Sequence, residues 1–281
     1  MKVIKAIIAT GHVDKQGEML MPEALYALAE QANAAYIPMW VEHDVARPPI
    51  GRMISAKVIR LDDGVLAVEA TGEVWESDAD LAAITSDGRR MVIHETQVPT
   101  FQVGFDTTFH DPEGMELVKE LREAGCASSQ FEGRKSAEVV SQLVIAAGAF
   151  IAGAISGGFF NALGEELYSG LKSRLKALRK KKDKSGKERA TRLLFRFTVR
   201  DRDRSIEVNA VLDNATDEMI ESFFDSGIKQ LDAITTEALA LEPRATRIAT
   251  RQTADTIEPI YVARDDCKPS WLRREETTDD R

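Results

Sequence analysis

The sequence has little cysteine and no excess of positive charge. Its 281 residues include only two cysteines, Cys126 and Cys267, which are too few for a disulfide scaffold or a cysteine-based zinc site. So few thiols in a chain of this length predict a reducing compartment. The net charge of -9 argues against a general nucleic-acid binder, because the overall charge does not attract phosphates.

Familiar catalytic and cofactor motifs are also missing from the sequence. It contains no P-loop, no dinucleotide fingerprint and no G-x-S-x-G elbow. The four histidines never occur at a metal-binding spacing such as H-x-x-x-H, so we predict neither a metal site nor a cofactor. The apolar run at the amino terminus is too short for a signal peptide, which predicts a cytoplasmic protein.

Charge and hydropathy are distributed unevenly along the chain. Residues 1–130 carry 11 basic and 21 acidic side chains, a net of -10, whereas residues 171–192 carry 11 basic and two acidic, a net of +9. Directly before this basic segment, the 22 residues of 139–160 contain no charge at all. Their mean hydropathy of about 1.9 exceeds the usual transmembrane threshold of roughly 1.6. As a helix they would be about 33 Å long, which is enough to cross a hydrocarbon core.

These patterns predict an α+β protein with four parts. Residues 1–128 form a domain of strands with a helix over residues 22–35, and residues 134–182 form a long helix that is first apolar and then basic. Two alternating strands and an amphipathic helix make a small ββα domain over residues 190–240, and residues 241–281 form a polar, flexible tail.

The first of these regions contains an ordered set of motifs. A strand leads into G-x-V-D-x-x-G-E from Gly11, and a helix then begins with Pro-Glu-Ala-Leu. An apolar strand leads into His43-Asp44, Pro49-Ile50-Gly51-Arg52 opens the next strand, and a hairpin follows around Asp63-Gly64. Over residues 3–110 this order resembles the prohead serine proteases of tailed phages, an assemblin-like family that trims scaffold protein during capsid maturation. The resemblance implies a β-barrel or sandwich with helices.

The same resemblance implies a catalytic site that has lost its nucleophile. The family's general base corresponds to His43, and its Ser-Ile-Gly-Phe-like motif corresponds to residues 101–105, where Gln102 occupies the serine position. An imidazole cannot turn a glutamine amide into an acyl-enzyme nucleophile. Thr100, two residues earlier on the same strand face, is an alternative nucleophile, and Ser128 and Ser129 follow the region. The non-catalytic interpretation of His43-Asp44 is a structural hydrogen-bonding pair at a strand end.

The apolar segment predicts self-association of a helix, either within a membrane or buried in an oligomer. Gly153 and Gly157 form a GxxxG pattern that permits close helix contacts. The basic segment that follows suits anionic headgroups, although it also suits a solvated face or attraction to the acidic first domain. The small residues of the apolar helix are Gly148, Gly153, Gly157 and Gly158, and the basic cluster consists of Lys172, Arg174, Lys176, Arg179, Lys180, Lys181 and Lys182.

Together these features predict a catalytically degenerate prohead-protease-like protein. It would act by regulated self-assembly and by membrane association or permeabilisation, as a homo-oligomer with a protein partner and without nucleic acid. Its layout also loosely resembles effector-associated adaptors of bacterial conflict systems. The expected location is cytoplasmic with conditional or peripheral membrane association, and a single-pass inner-membrane protein is the alternative. Two other functions stay open: an active serine- or threonine-type peptidase with His43 as its base, and a soluble oligomeric phage or prophage scaffold.

Overall fold

The structure is a computed structural model, and it forms two compact units. The first unit comprises residues 1–92 and 263–270, and the second comprises residues 93–262 and 271–281. The residues that the structure describes are 1–13, 19–41, 44–93, 101–105, 119, 141–151, 153–158, 170–173, 175–177 and 191–270.

The first unit is a four-stranded antiparallel sheet with two helices. The strands follow the order β1-β4-β3-β2, and β3 and β4 form the hairpin expected around Asp63-Gly64. Gly64 has a φ of +87°, which explains a glycine at this turn. The elements are β1 (Lys2–Thr10), α1 (Pro22–Ala34), β2 (Ile37–Met39), β3 (Gly51–Arg60), β4 (Leu66–Val74) and α2 (Asp78–Ala83).

Helix α1 covers one face of this sheet. Its residues Leu25, Ala29 and Ala32 are buried and pack against Val68 and Ala70 of β4. The apolar spacing of the predicted helix therefore marks the face that lies in the core, and the helix prediction is confirmed.

The second unit is a six-stranded mixed sheet in the order β10-β9-β8-β7-β6-β5. Strand β6 pairs antiparallel with β5 and parallel with β7, while β8 pairs antiparallel with β7 and parallel with β9. The strands are β5 (Phe101–Phe105), β6 (Ser141–Ile151), β7 (Thr191–Asp201), β8 (Arg204–Leu212), β9 (Ala245–Thr253) and β10 (Thr256–Arg264).

A helical crossover joins β8 to β9 and supplies the core of the second unit. Helix α3 (Asp217–Ser222) continues through a π-helical turn (Phe223–Gly227) into α4 (Ile228–Leu241). Thr216 caps the start of α3, because its side chain accepts a hydrogen bond from the backbone N–H of Met219 at 3.1 Å. The rings of Phe195 and Phe223 stack at 4.2 Å between centroids, where the sheet meets the crossover.

The predicted α+β class is confirmed, but the long helix within it is wrong. Residues 141–151 form strand β6, which has a neighbouring strand on both sides. An uncharged apolar run is compatible both with a strand between two neighbouring strands and with a membrane helix, so hydropathy alone does not separate the two. Across the described segments, no helix combines the length and apolarity needed to cross a membrane. The strands of both sheets form open sheets, each with two edge strands, and not a closed barrel.

The flexible tail predicted for residues 241–281 is also wrong over most of its length. The ββα elements over residues 191–241 are confirmed, but they continue into β9 and β10. Residues 263–270 then belong to the first unit, where the carbonyl of Asp265 accepts a hydrogen bond from the N–H of Met91 at 2.6 Å. Several Thr and Arg residues of this segment lie in β9, where Thr246, Arg247 and Thr250 are buried, so polarity alone did not indicate a tail. Residues 271–281 lie outside the described part.

Candidate functional site

The predicted catalytic base follows strand β2, which pairs antiparallel with β3 through Ile37–Met53. His43 itself lies outside the described residues, so its role stays a prediction. The adjacent carboxylate of Asp44 is buried and accepts a hydrogen bond from the N–H of Ala46 at 2.9 Å. It also forms an ion pair with Arg47 at 3.4 Å. Asp44 therefore fixes the turn between β2 and β3.

The position of the predicted nucleophile lies in a different sheet. Gln102 is part of β5, the edge strand of the six-stranded sheet, and is paired with Ala146 of β6. Strand β2, which precedes His43, belongs to the four-stranded sheet. The alternative nucleophile Thr100 lies outside the described residues. The meeting of His43 with a nucleophile therefore stays a prediction.

A histidine–carboxylate pair does occur at the turn that follows β1. Nε2 of His12 lies 2.6 Å from Oδ2 of Asp63 in the β3–β4 turn. The hydrogen bond from His12 lowers the pKa of the Asp63 carboxyl, and a bond from the N–H of Val65 adds to this effect. Both side chains are about half exposed. Sequence reasoning missed the pair because 51 residues separate its members.

Arg52, in the Pro49-Ile50-Gly51-Arg52 motif, has a structural position. Its side chain is 3% exposed, and its Nε donates to Glu73 of β4 at 3.0 Å while Nη2 donates to the carbonyl of Thr85 at 2.6 Å. The guanidinium lies 4.2 Å from the centroid of the Tyr36 ring, a cation–π contact. Gly51 is required beside it, because an added Cβ would lie 2.3 Å from the carbonyl oxygen of Glu73.

Tyr36 lies between two arginines in the same unit. Arg89 is 4.8 Å from the ring centroid, and the Tyr36 hydroxyl donates to Asp87 at 2.6 Å. Hydrogen bonds from Arg89 and then from Tyr36 hold the pKa of the Asp87 carboxyl well below its usual range. The cluster joins the end of α1 to the segment after α2.

The four glycines of the predicted apolar helix lie in three different environments. Gly148 is part of β6, at the point where its pairing with β7 shifts register between Ala147 and Phe150. Gly153 has a φ of +79° in the turn after β6. Gly157 and Gly158 lie among the helical residues 155–158. The GxxxG contact face is therefore wrong, because its two glycines do not share one helix.

Two residues of the predicted basic cluster form ion pairs with the crossover. Nζ of Lys172 lies 2.6 Å from Glu221 and 2.9 Å from Asp225, and Lys176 pairs with Glu221 as well. The neighbouring Leu171 and Leu175 are buried in the core of the second unit. This part of the segment faces protein and not lipid headgroups. The remaining members, Arg174, Arg179, Lys180, Lys181 and Lys182, lie outside the described residues.

A buried group of charges lies on the opposite face of the six-stranded sheet from the crossover. Glu207 of β8 accepts from Asn209 at 2.7 Å and lies 2.8 Å from Nε of Arg247 and 3.8 Å from Nε of Arg196. Burial would raise the pKa of Glu207, but the charges of Arg247 and then Arg196 outweigh it and lower the pKa to about 2. Oδ1 of Asn209 is buried without a hydrogen-bond partner among the described residues. Glu207 is therefore a carboxylate in the folded protein.

The alternation of polar and apolar residues along β7 and β8 already indicated this buried group of charges in the sequence. Arg196 and Glu207 occupy the strand positions between the apolar core residues, and every second residue of a strand faces the same side. The register then pairs Arg196 with Asn209 and Glu207 with Arg247. Parallel pairing of β8 with β9 was not predictable locally. Within the described part of the chain, no three His, Cys, Asp or Glu side chains gather at a metal-binding distance.

Comparison of the chain with family models, with curated proteins and with solved structures gives no match.

Proposed function

We propose that the protein is a prohead-protease-like assembly protein that has no peptidase activity and acts by binding and self-association. The observation that carries the proposal is Gln102. It occupies the position that the resemblance assigns to the nucleophile, within strand β5, and its amide cannot form an acyl-enzyme. The neighbouring strand of Gln102 is β6, whereas His43 follows a strand of the other sheet.

The order of elements in the first unit supports the prohead-protease-like part of the proposal. Strand β1, helix α1, strand β2 and the β3–β4 hairpin follow one another at the places where the shared motifs lie. Arg52 and Gly51 of the Pro49-Ile50-Gly51-Arg52 motif connect β3 to β4. These contacts explain the motif as a means of building the sheet, which a protein without the reaction would still need.

The proposal contains no membrane helix, because residues 141–151 of the apolar segment form strand β6, which pairs with β5 and β7. Lys172 and Lys176 are engaged by Glu221. These contacts argue against the membrane helix of the first predicted function, so the proposal keeps self-association and leaves out membrane insertion.

The absence of peptidase activity is tested by labelling. The purified full-length protein is incubated with a fluorophosphonate probe, beside an active serine hydrolase as a positive control for the probe, and its intact mass is followed with and without casein. We expect no fluorophosphonate label on the protein, no cleavage of casein and no self-cleavage. Labelling or cleavage that disappears in His43→Ala would overturn the proposal, and mapping of the labelled peptide would identify Thr100 or another hydroxyl.

Self-association is tested separately by sedimentation velocity without detergent. We expect a defined species larger than the monomer, with the same sedimentation coefficient in the presence and absence of phosphatidylglycerol vesicles. A protein that stays monomeric at every concentration would overturn the self-association part. Pelleting with the vesicles would overturn the exclusion of a membrane role.

A further inference from the structure

Strand β1 is an edge of the four-stranded sheet. It pairs with β4 from Lys2 to Thr10, and no described strand lies along its other side. An edge strand presents a row of backbone N–H and C=O groups to any chain that can align with it. The pairing with β4 shifts register between Ile7 and Ala9, so the regular part of the edge runs from Lys2 to Ile7.

Along one face of β1, an apolar, a basic and a second apolar side chain follow one another. Val3 is 59% exposed and Ile7 is 44% exposed, and Lys5 lies exposed between them. Ala6, which lies between Lys5 and Ile7, faces the other side of the sheet, because its pairing partner Ala70 is buried in the core beneath α1. Val3, Lys5 and Ile7 therefore lie on the sheet face that α1 does not cover, along about 14 Å of strand at the usual rise of 3.4 Å per residue.

The lysines of β1 differ from the other cations of this sheet. Lys57 pairs with Glu69 at 3.1 Å, and Arg52 pairs with Glu73 at 3.0 Å. Among the described residues, neither Lys2 nor Lys5 has a carboxylate within 4 Å. The edge thus has two apolar side chains and two cations that the rest of the described unit does not satisfy.

We propose that β1 binds an extended acidic segment of a partner protein, which adds to the four-stranded sheet as a fifth strand. On the face of Val3, Lys5 and Ile7, every second residue of that segment would be apolar, acidic and apolar in turn, so that the acidic side chain lies opposite Lys5. This inference rests on the proposed binding function and names the class of partner.

Charge favours such a partner over a second copy of the same strand. Two β1 strands side by side would bring together four lysines, from Lys2 and Lys5 of each copy, without a single carboxylate. Lysines on an edge strand are a known means by which proteins prevent pairing with themselves. Lys5 attracts an acidic side chain placed directly opposite it, while Glu73 and Glu69 on the other side of β1 are already paired with Arg52 and Lys57. This local attraction acts against the net charge of -10 on residues 1–130, and it decreases with added salt.

The test uses a synthetic peptide as the probe. Fluorescence anisotropy measures binding of labelled Thr-Val-Thr-Glu-Thr-Val-Thr to the full-length protein at low ionic strength, in parallel with the same peptide carrying Lys in place of Glu. We expect the glutamate peptide to bind and the lysine peptide to bind about tenfold more weakly or not at all. Equal binding of the two peptides would overturn the proposal.

Backbone methylation distinguishes strand addition from simple charge attraction. In one version of the peptide, the backbone amides of the two Val residues and of Glu are N-methylated. In the other version, the backbone amides of the two Thr residues that flank Glu are N-methylated. Alternate N–H groups of an added strand point toward its neighbour. We therefore expect one version to lose binding and the other to keep it. Retention by both versions would overturn the added-strand geometry.

A charge exchange locates the site on β1. Lys5→Glu should weaken the glutamate peptide about tenfold and strengthen the lysine peptide, whereas Lys229→Glu, an exposed lysine on α4, should change neither. An equal effect of the two variants would contradict the proposal.

The peptide assay also separates this inference from the proposed function. Mass analysis of the peptide after incubation shows whether it is cleaved, and cleavage would overturn the proposed absence of peptidase activity even if the peptide bound at β1. If the peptide does not bind and the protein is not labelled by the fluorophosphonate, the strand inference is overturned and the proposed absence of peptidase activity stands.

Discussion

The carboxylate of Asp232 accepts hydrogen bonds from two backbone N–H groups at the start of the helical turn over residues 155–158. It lies 2.6 Å from the N–H of Ile155 and 2.9 Å from that of Ser156. Asp232 is on α4, so the contact spans 77 residues of sequence. This contact holds the end of the apolar segment, immediately after β6, on the crossover helix of the same unit.

Removal of this carboxylate should destabilise the second unit. Asp232→Ala leaves the two N–H groups without their acceptor, and side-chain caps of this kind contribute about 1–2 kcal/mol. We expect a lower urea midpoint with an unchanged slope. Glu237→Ala, an exposed position on the same helix, is the matched control and should leave the midpoint within experimental error. Equal midpoints for Asp232→Ala and Glu237→Ala would contradict this contact.

Two adjacent glycines should respond differently to the same substitution. A Cβ on Gly158 would lie 2.4 Å from the ring of Phe150, which is buried, whereas a Cβ on Gly157 would meet nothing within 4 Å among the described residues. Gly158→Ala should therefore cost about 1–3 kcal/mol through overpacking, and Gly157→Ala should be neutral or slightly stabilising. Thermal unfolding of the two variants measures the difference. A continuous GxxxG helix predicts the opposite order, with Gly157 as the sensitive position.

The charge of Glu207 should make stability depend on acidity. Its pKa in the folded protein is lowered from 4.5 to about 2, so its contribution to stability is present above about pH 4.5 and is lost as the pH falls toward about 2. Glu207→Gln removes a buried partner of Arg247 and should cost about 3 kcal/mol at pH 7. Urea unfolding at pH 7 and at pH 2.5 should show that the gap between wild type and variant narrows in acid. A gap that stays constant would contradict an ionised Glu207.

The pairing of the basic segment with the crossover should protect it from trypsin. Glu221 accepts both Lys172 and Lys176, so Glu221→Gln weakens two ion pairs, each worth up to about 1 kcal/mol at this exposure. We expect cleavage after these lysines to be up to about tenfold faster in Glu221→Gln, and the wild type to approach that rate in 1 M salt. Glu237→Gln provides the matched control. Identical cleavage rates for both variants would show that the ion pairs do not hold the segment.

Local patterns in the sequence predicted the elements whose signals lie within a few residues. Pro22 and the spacing of Leu25 and Leu28 predicted α1, and the alternation in β7 and β8 predicted both strands. The cap at Thr216 was also predictable, because its side chain bonds to an N–H only three residues away. The π-helical turn at Phe223 was not, since the apolar spacing of the crossover is compatible with a continuous α-helix.

The candidate site was less predictable than the fold. The motif around Arg52 was found in the sequence, but its contact with Tyr36 depends on a β-sheet register that brings residues 16 positions apart together. Glu207 and Arg247 meet only because β9 pairs in parallel with β8 after a crossover helix. No pattern within either strand specifies that partner.

By itself, the sequence determined the α+β class, the first hairpin and helix, and the amphipathic crossover, because hydrophobic periodicity and turn residues act over a few positions. Hydropathy could not decide whether residues 141–151 belong to a membrane helix or form strand β6, because an uncharged apolar run is compatible with both elements. Tertiary structure decided this, through the partners that β5 and β7 provide. Tertiary structure also decided which charged side chains meet. Two lysines of the basic segment pair with Glu221 of the crossover.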